Sequence, residues 1–258
     1  VSGFRLVREY LLSRLGVQGT LGAAGAGEGL TIAEAERRLR REMSYGYVHM
    51  LWIADFGDGT VIASVPPGVS GEMKAFLREQ LEKKADITDD AFITPLKALA
   101  DNDAKRLFGQ KTSRCFTDLM FACDAETLAP ACPDVNPVRI VDDWFTCEKD
   151  IHYPGHCVPD GIVYGVVVKE KIVSVAYAHR TGAWQDRVAD IGVETSKRYR
   201  KRGYARACVN AVARHAIQNG GESLYKCAPT NTASVHTALS AGYRPYGKSL
   251  ILGVEGKN

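Results

Sequence analysis

No run of apolar residues in this chain approaches the ~18 needed to span a bilayer. Charge of one sign is scarce as well. The 33 Lys and Arg stand against 30 Asp and Glu, leaving a formal charge of only +3. That balance excludes a polycation, and with it a generic nucleic-acid or membrane-surface binder. Any basic function must be local. Seven cysteines occur, at 115, 123, 132, 147, 157, 208 and 227, yet no CxxC pair is among them. The opening VSGFRLVREYLLSRLG lacks the apolar core and cleavage site of a signal peptide, so the thiols read as reduced, in a cytoplasmic protein. A nucleotide-type glycine loop is missing too. GVQGTLGAAGAGEG (Gly16–Gly29) has six glycines, but no Lys-Ser/Thr pair closes it and no strand-to-helix junction frames it. It reads as a flexible linker.

What is present suits a soluble globular chain. At 258 residues, with 45% hydrophobic and 24% charged residues, one large or two modest domains are expected. The periodicity divides the chain near residue 110. In residues 1–110, a smaller mixed α/β domain of unassigned role, the first helix carries Phe4, Leu6, Val7, Leu11, Leu12 and Leu15. Thr31-Ile32-Ala33-Glu34 has the form of a capping box and predicts a charged helix to about Met43. YVHMLWIAD predicts a strand, turned by Gly57-Asp58-Gly59 into a second. Helices are expected from about Ser70 to Lys84 and after Pro95. His49, within an apolar strand, reads as structural, and Asp89-Asp90 as a capping or solvated pair.

Residues 111–258 read as an α/β arrangement: strands at Arg114–Cys123 and Val138–Val141, a hairpin GIVYGVVVKEKIVSVAYAH about a Glu170-Lys171 turn, and a strand RVADIGVET. A helix from about Ala205 to Asn219 follows, with Ala205, Val209, Val212 and Ala216 on one face. Then come a short strand, a helix Asn231–Ala241 stopped by Gly242, and a last strand Ser249–Val254.

Between the strand and the first of these helices lies the densest charge in the chain. Six of the ten residues from Lys197 to Arg206 are Lys or Arg. Arg200-Lys201-Arg202-Gly203-Tyr204-Ala205 fits Arg/Gln-x-x-Gly-x-Gly/Ala, a turn whose backbone N–H groups and helix dipole suit a pyrophosphate. Gly203 permits close approach and the basic side chains add charge-assisted contacts.

DIGVETSKRYRKRGYA and the downstream NTASVHTALSAGY (Asn231–Tyr243) together resemble the GNAT N-acetyltransferase superfamily. The likeness covers about residues 138–256. It implies a mixed, mostly antiparallel sheet flanked by helices, an acetyl-CoA cosubstrate and transfer of an acetyl group to a primary amine. By position it implies that backbone groups of Val193 and Thr195 pair with the pantetheine arm. Arg200, Lys201, Arg202, Gly203, Tyr204, Ala205 and Arg206 would hold the pyrophosphate, and Asn231 and Ser234 would touch the cofactor from the next helix.

Transfer to an amine requires the amine neutral. Deprotonating a lysine-like amine at pH 7 costs about 4.6 kcal/mol (~3.4 units at ~1.36 each), so a carboxylate base is expected. Asp190 and Glu194, four apart on one strand face, are the candidates. Many relatives supply a tyrosine acid from the second helix, where this chain has Ala238. A thiolate leaving group, with a thiol pKa near ~8.5, depends little on such an acid. His236 and Tyr204 stand nearby in sequence without a role assigned to them.

Other constellations weigh less. Cys147, His152, His156 and Cys157 form C-x4-H-x3-H-C, which matches no ordinary zinc spacing, so no metal is expected. Cys227 as a nucleophile has no matched His and acid. Tyr164, Tyr177 and Trp184 read as packing or pocket lining. The expected partners are acetyl-CoA and a small-molecule amine, reached by direct transfer, with no nucleic acid and no membrane. A protein amine acceptor, or a non-catalytic CoA sensor, is the alternative.

Overall fold

The computed structural model describes residues 3–17, 29–41, 47–141, 146–152, 161–179 and 181–255. It opens with helix α1 (Arg5–Leu15), which buries Leu6, Val7, Tyr10, Leu11 and Leu15. The described residues form two compact units. One is Glu9–Met120 with the last stretch from Tyr246; the other is Phe121–Pro245 with a short piece ending at Arg8. The glycine-rich run between Gln18 and Glu28 lies outside the described residues.

The first unit is a mixed sheet of β1 (Gly29–Glu34), β2 (Tyr47–Asp55), β3 (Thr60–Val65), β11 (Arg244–Glu255) and the start of β4 (Arg114–Cys123), in the order β1-β3-β2-β11-β4. The β2–β3 hairpin turns through Gly57 and Gly59, at φ +71° and +91°, as the sequence predicts. Helices α2 (Gly71–Glu82) and α3 (Asp90–Phe108) send Met73, Leu77, Phe92 and Leu96 into a core with Met50, Leu51 and Ile53. His49 is buried, as expected of a structural histidine.

Two expectations fail here. Thr31–Glu34 belongs to β1, a strand parallel to β3, and not to a helix. Leu30 and Ile32, two residues apart on one strand face, pack on the core, a strand pattern that overrides the capping-box spelling. Among the described residues that follow, Glu36–Leu39 forms a 3-10 turn. Helix α3 begins at Asp90 rather than at Pro95. Asp89 caps it, its carboxylate accepting the Ala91 N–H at 3.0 Å. Pro95 then sits in the second turn, where it removes one backbone donor.

The second unit holds β5 (Val138–Arg139), β6 (Thr146–Cys147), β7 (Val163–Val168), β8 (Lys171–Ala178), β9 (Val188–Thr195) and β10 (Glu222–Cys227). Their order is β10-β9-β8-β7-β5, with β6 beside β8. β9 and β10 are parallel, as are β6 and β8; the remaining pairs are antiparallel. The β7–β8 turn sits one residue before the predicted position. Lys169 and Glu170 both take positive φ, +51° and +63°, the two-residue turn that sets Val168 opposite Lys171. Helix α4 (Tyr204–Gln218) buries Ala207, Cys208, Val209, Val212 and Ala216, and α5 (Thr232–Ser240) buries Ala238.

Gly242 ends α5 at φ +98°, and a Cβ there would fall 2.2 Å from the Thr127 carbonyl oxygen and 2.4 Å from the Ala129 nitrogen. Both neighbours are backbone. Gly242→Ala is expected to destabilise the protein by at least ~3 kcal/mol, lowering Tm by roughly 6–12 °C in a thermal unfolding scan.

Candidate active site

The site begins where β9 outruns one neighbour. Pairing with β10 covers Val188 to Ile191 and ends at Tyr225 opposite Ile191. Pairing with β8 continues to Thr195 opposite Ser174. His179 N–H donates to the Asp190 carbonyl at 2.7 Å, and Ser196 N–H to the Val173 carbonyl at 3.0 Å. That parity aims the backbone groups of Asp190, Gly192 and Glu194 at β8. Those of Ile191, Val193 and Thr195 point the opposite way. Past Ile191 the β10 register has ended, so Val193 and Thr195 present their backbone along an opening wedge. The Thr195 carbonyl accepts from Arg200 Nε at 3.3 Å.

The chain then folds through a 3-10 turn, Lys197–Tyr199, into the basic loop. Lys201 takes φ +60° and Gly203 φ +76°. Gly203 is the N-cap of α4 and supplies no side-chain acceptor. The first helical bond is Ala207 N–H to the Gly203 carbonyl, 3.0 Å. The N–H groups of Tyr204, Ala205 and Arg206 therefore have no acceptor within the helix, and the positive end of its dipole faces outward with them. A Cβ on Gly203 would meet nothing within 4 Å, so its positive φ, not crowding, is what calls for glycine. Arg200, Lys201 and Arg202 are exposed; Tyr204, Ala205 and Arg206 are half-buried. Arg202 stacks over Tyr199 at 5.4 Å.

One residue holding this loop escaped the sequence reading. Asp150 accepts the Lys197 N–H at 2.8 Å, a bond that leads in holding its carboxyl below the usual carboxylate range. It caps the 3-10 turn from a segment distant in sequence. An Asp caps by reaching orphan N–H groups, but only the fold reveals which ones.

On the sheet face opposite α4, Asp190, Gly192 and Glu194 line up. Asp190 is 2% exposed and its Oδ2 lies 2.9 Å from Lys226 Nζ. Glu194 is a third exposed and accepts the His152 N–H at 2.7 Å. Between them the Tyr177 ring lies flat on the strand: a Cβ on Gly192 would sit 2.6 Å from the ring's Cζ. The face thus reads carboxylate, phenol, carboxylate along one strand. A glycine inside a strand was the available sign of such a close approach.

The residues on α5 have protein partners. Asn231 Oδ1 accepts the Ser234 N–H at 3.1 Å, capping the helix. Burial pushes the Tyr225 phenol, near Ser234, up to about 12. His236 is exposed, whereas Tyr243 is buried with its hydroxyl 2.6 Å from Ser223 Oγ. Burial pushes the Cys208 thiol up to about 12, and Cys227 is buried as well. Of the C-x4-H-x3-H-C residues, His156 and Cys157 lie outside the described residues. Among the described residues no cluster of three or more His, Cys, Asp or Glu could hold a metal, and no helix is long and apolar enough to cross a membrane.

Residues 157–248 match the family model for GNAT acetyltransferase. Solved structures of similar fold include an acetyltransferase from the GNAT family of Colwellia psychrerythraea, 13% identical over 74% of this chain and 75% of that one, TM-score 0.45. A GCN5-related N-acetyltransferase-like protein from Streptococcus suis is 16% identical over 64% and 68%, TM-score 0.41. A tandem GNAT protein from the clavulanic acid biosynthesis pathway is 13% identical over 76% and 74%, TM-score 0.42. No curated protein matches the chain by sequence. The matched residues 157–248 include the wedge beside β9 and the uncapped start of α4, and the match supports a member of the GNAT acetyltransferase superfamily.

Proposed function

We propose that the protein is an acetyl-CoA-dependent N-acetyltransferase acting on a primary amine of a small molecule by direct transfer, with residues 111–258 as the catalytic region. The observation that carries this reading is the overhang of β9. Its unmatched backbone at Val193 and Thr195 runs straight into the uncapped N-terminus of α4. A pantetheine arm pairs like a strand along the overhang, and a pyrophosphate then falls on the N–H groups of Tyr204 to Arg206. Arg200, Lys201 and Arg202 screen its charge. Asn231 and Ser234 border the cofactor from α5.

The acceptor approaches from the face carrying Glu194. Its ammonium gives up a proton, its nitrogen attacks the thioester carbonyl, and the C–N bond forms as the C–S bond breaks. Coenzyme A leaves as thiolate and takes the proton shed by the new amide nitrogen. Of the two candidate carboxylates, Asp190 is engaged by Lys226, which favours Glu194 as the one that supports proton removal from an incoming amine, directly or through a neighbouring group. The CoA-sensor reading draws on Ala238, where many relatives carry a tyrosine acid.

Calorimetric titration with CoA tests the cofactor, and no binding at millimolar concentration would sink both readings. Where CoA binds, a screen of amines that follows free-thiol release separates enzyme from sensor. Thiol release with an amino-sugar or similar small amine is the expected result.

A further inference from the structure

We propose that His152 is the group that takes the proton from the acceptor amine, and that Glu194 orients it. This rests on the acetyltransferase reading above and deepens it.

The sequence sets His152 in the C-x4-H-x3-H-C run, which matches no ordinary zinc spacing, and nothing in the acetyl-CoA site accounts for it. The fold brings it to the acceptor face. Glu194 Oε2 accepts the His152 N–H at 2.7 Å, and the ring's Nδ1 lies 3.9 Å from the same oxygen. One carboxylate oxygen thus fixes the backbone of His152 by a hydrogen bond and stands at ion-pair distance from its ring, close enough to stabilise the ring once it carries a proton. The ring itself is 85% exposed, open to an acceptor. A neutral imidazole keeps a lone pair on one ring nitrogen, which is what a base requires.

The segment bearing His152 is fixed at both flanks of β9's exit. Glu148 N–H donates to the Ile172 carbonyl at 3.0 Å, while Asp150 accepts the Lys197 N–H at 2.8 Å. Ile151 is buried in a cluster with Val175 and Tyr177. The residues leading into His152 are therefore held against β8 and the end of β9. A carboxylate alone is a weak proton acceptor for an ammonium near neutral pH. An imidazole, with an ordinary pKa of ~6.5, is better matched to it. The proton moves from the ammonium nitrogen to the ring nitrogen bearing the lone pair, the imidazolium is stabilised by Glu194, and it discharges to solvent after transfer.

Bromoacetyl-CoA tests the placement without an identified acceptor. Its CH2 carbon stands where the acetyl methyl would be. A neutral imidazole aimed there displaces bromide and forms a C–N bond that mass spectrometry locates. Labelling at His152 is expected. Free CoA in excess should suppress it, and His152→Gln should lack it while binding CoA within about twofold of the parent. Glu194→Gln should slow labelling about tenfold, with CoA affinity unchanged, because the ring loses the carboxylate that stabilises its growing positive charge. A protein that binds CoA yet is labelled elsewhere, or not at all, overturns the proposal. So does a Glu194→Gln protein labelled at the parent rate. A protein that binds no CoA refutes the cofactor reading instead.

Discussion

Gly203→Glu is expected to weaken CoA binding at least a hundredfold, ~2.7 kcal/mol, while the protein still folds. The prediction rests on two properties of the site. Gly203 sits at φ +76°, a conformation that costs an L-residue roughly 1–2 kcal/mol, so any side chain strains the turn. It is also the N-cap of α4, directly ahead of the unsatisfied N–H groups of Tyr204 to Arg206. A glutamate there sends its own carboxylate toward those donors, satisfying them with an internal anion and repelling a pyrophosphate. Because a Cβ meets nothing within 4 Å, the fold does not resist the added side chain by collision. Gly203→Ala carries the strain without the anion and should lose no more than about tenfold, ~1.4 kcal/mol. Calorimetry on both variants, with circular dichroism to verify folding, checks this. Equal affinity for Gly203→Glu and the parent would remove the anion site from this turn.

The same turn shows why this part of the chain was legible in sequence. A strand, a basic loop, a glycine and an alanine-rich helix are local features, and each follows from the residues that form it. Gly242 was legible for the same reason, as a helix terminator read from its position. Thr31–Glu34 was not. Its spelling admits both a capping box and an alternating strand, and the choice is made by β3, some thirty residues on. Arg38 compounds the difficulty. It is fully buried, donating to the His49 carbonyl at 3.2 Å and lying 5.5 Å from the Trp52 ring, so one arginine of a run that reads as a charged helix is core. Pro95 misled in the other direction, because proline favours a helix's first turn but is tolerated in the second once Asp89 has capped the start. On the candidate face, the shared side of the two carboxylates follows from alternation along one strand. What distinguishes them comes from Lys226 on β10 and His152 before β7, and pairings between distant segments leave no spacing to read.

That distinction makes the second large prediction. Asp190→Asn should destabilise the protein by about 3 kcal/mol, because removing one partner of a buried ion pair strands the other. Asp190 is 2% exposed and Lys226 15%, so the ammonium left behind has little access to water. Glu194→Gln should stay within ~0.5 kcal/mol of the parent, since the amide oxygen can still accept the His152 N–H and the side chain is a third exposed. Turnover divides the opposite way. With an amine identified by thiol release, Glu194→Gln should lower kcat about a hundredfold at unchanged KM for acetyl-CoA, because proton transfer to His152 loses the carboxylate that supports it. Asp190→Asn, assayed below its unfolding transition, should retain most of its activity. Urea unfolding and steady-state kinetics on the two variants measure both quantities. If Asp190→Asn is stable but inactive and Glu194→Gln is active, the roles are reversed, and proton transfer then belongs to the buried pair with Lys226. The physical reason to expect otherwise is solvation. A carboxylate that takes part in proton transfer needs room for the acceptor and a path for the proton, and Glu194 keeps both, whereas Asp190 is closed in by the ammonium that neutralises it.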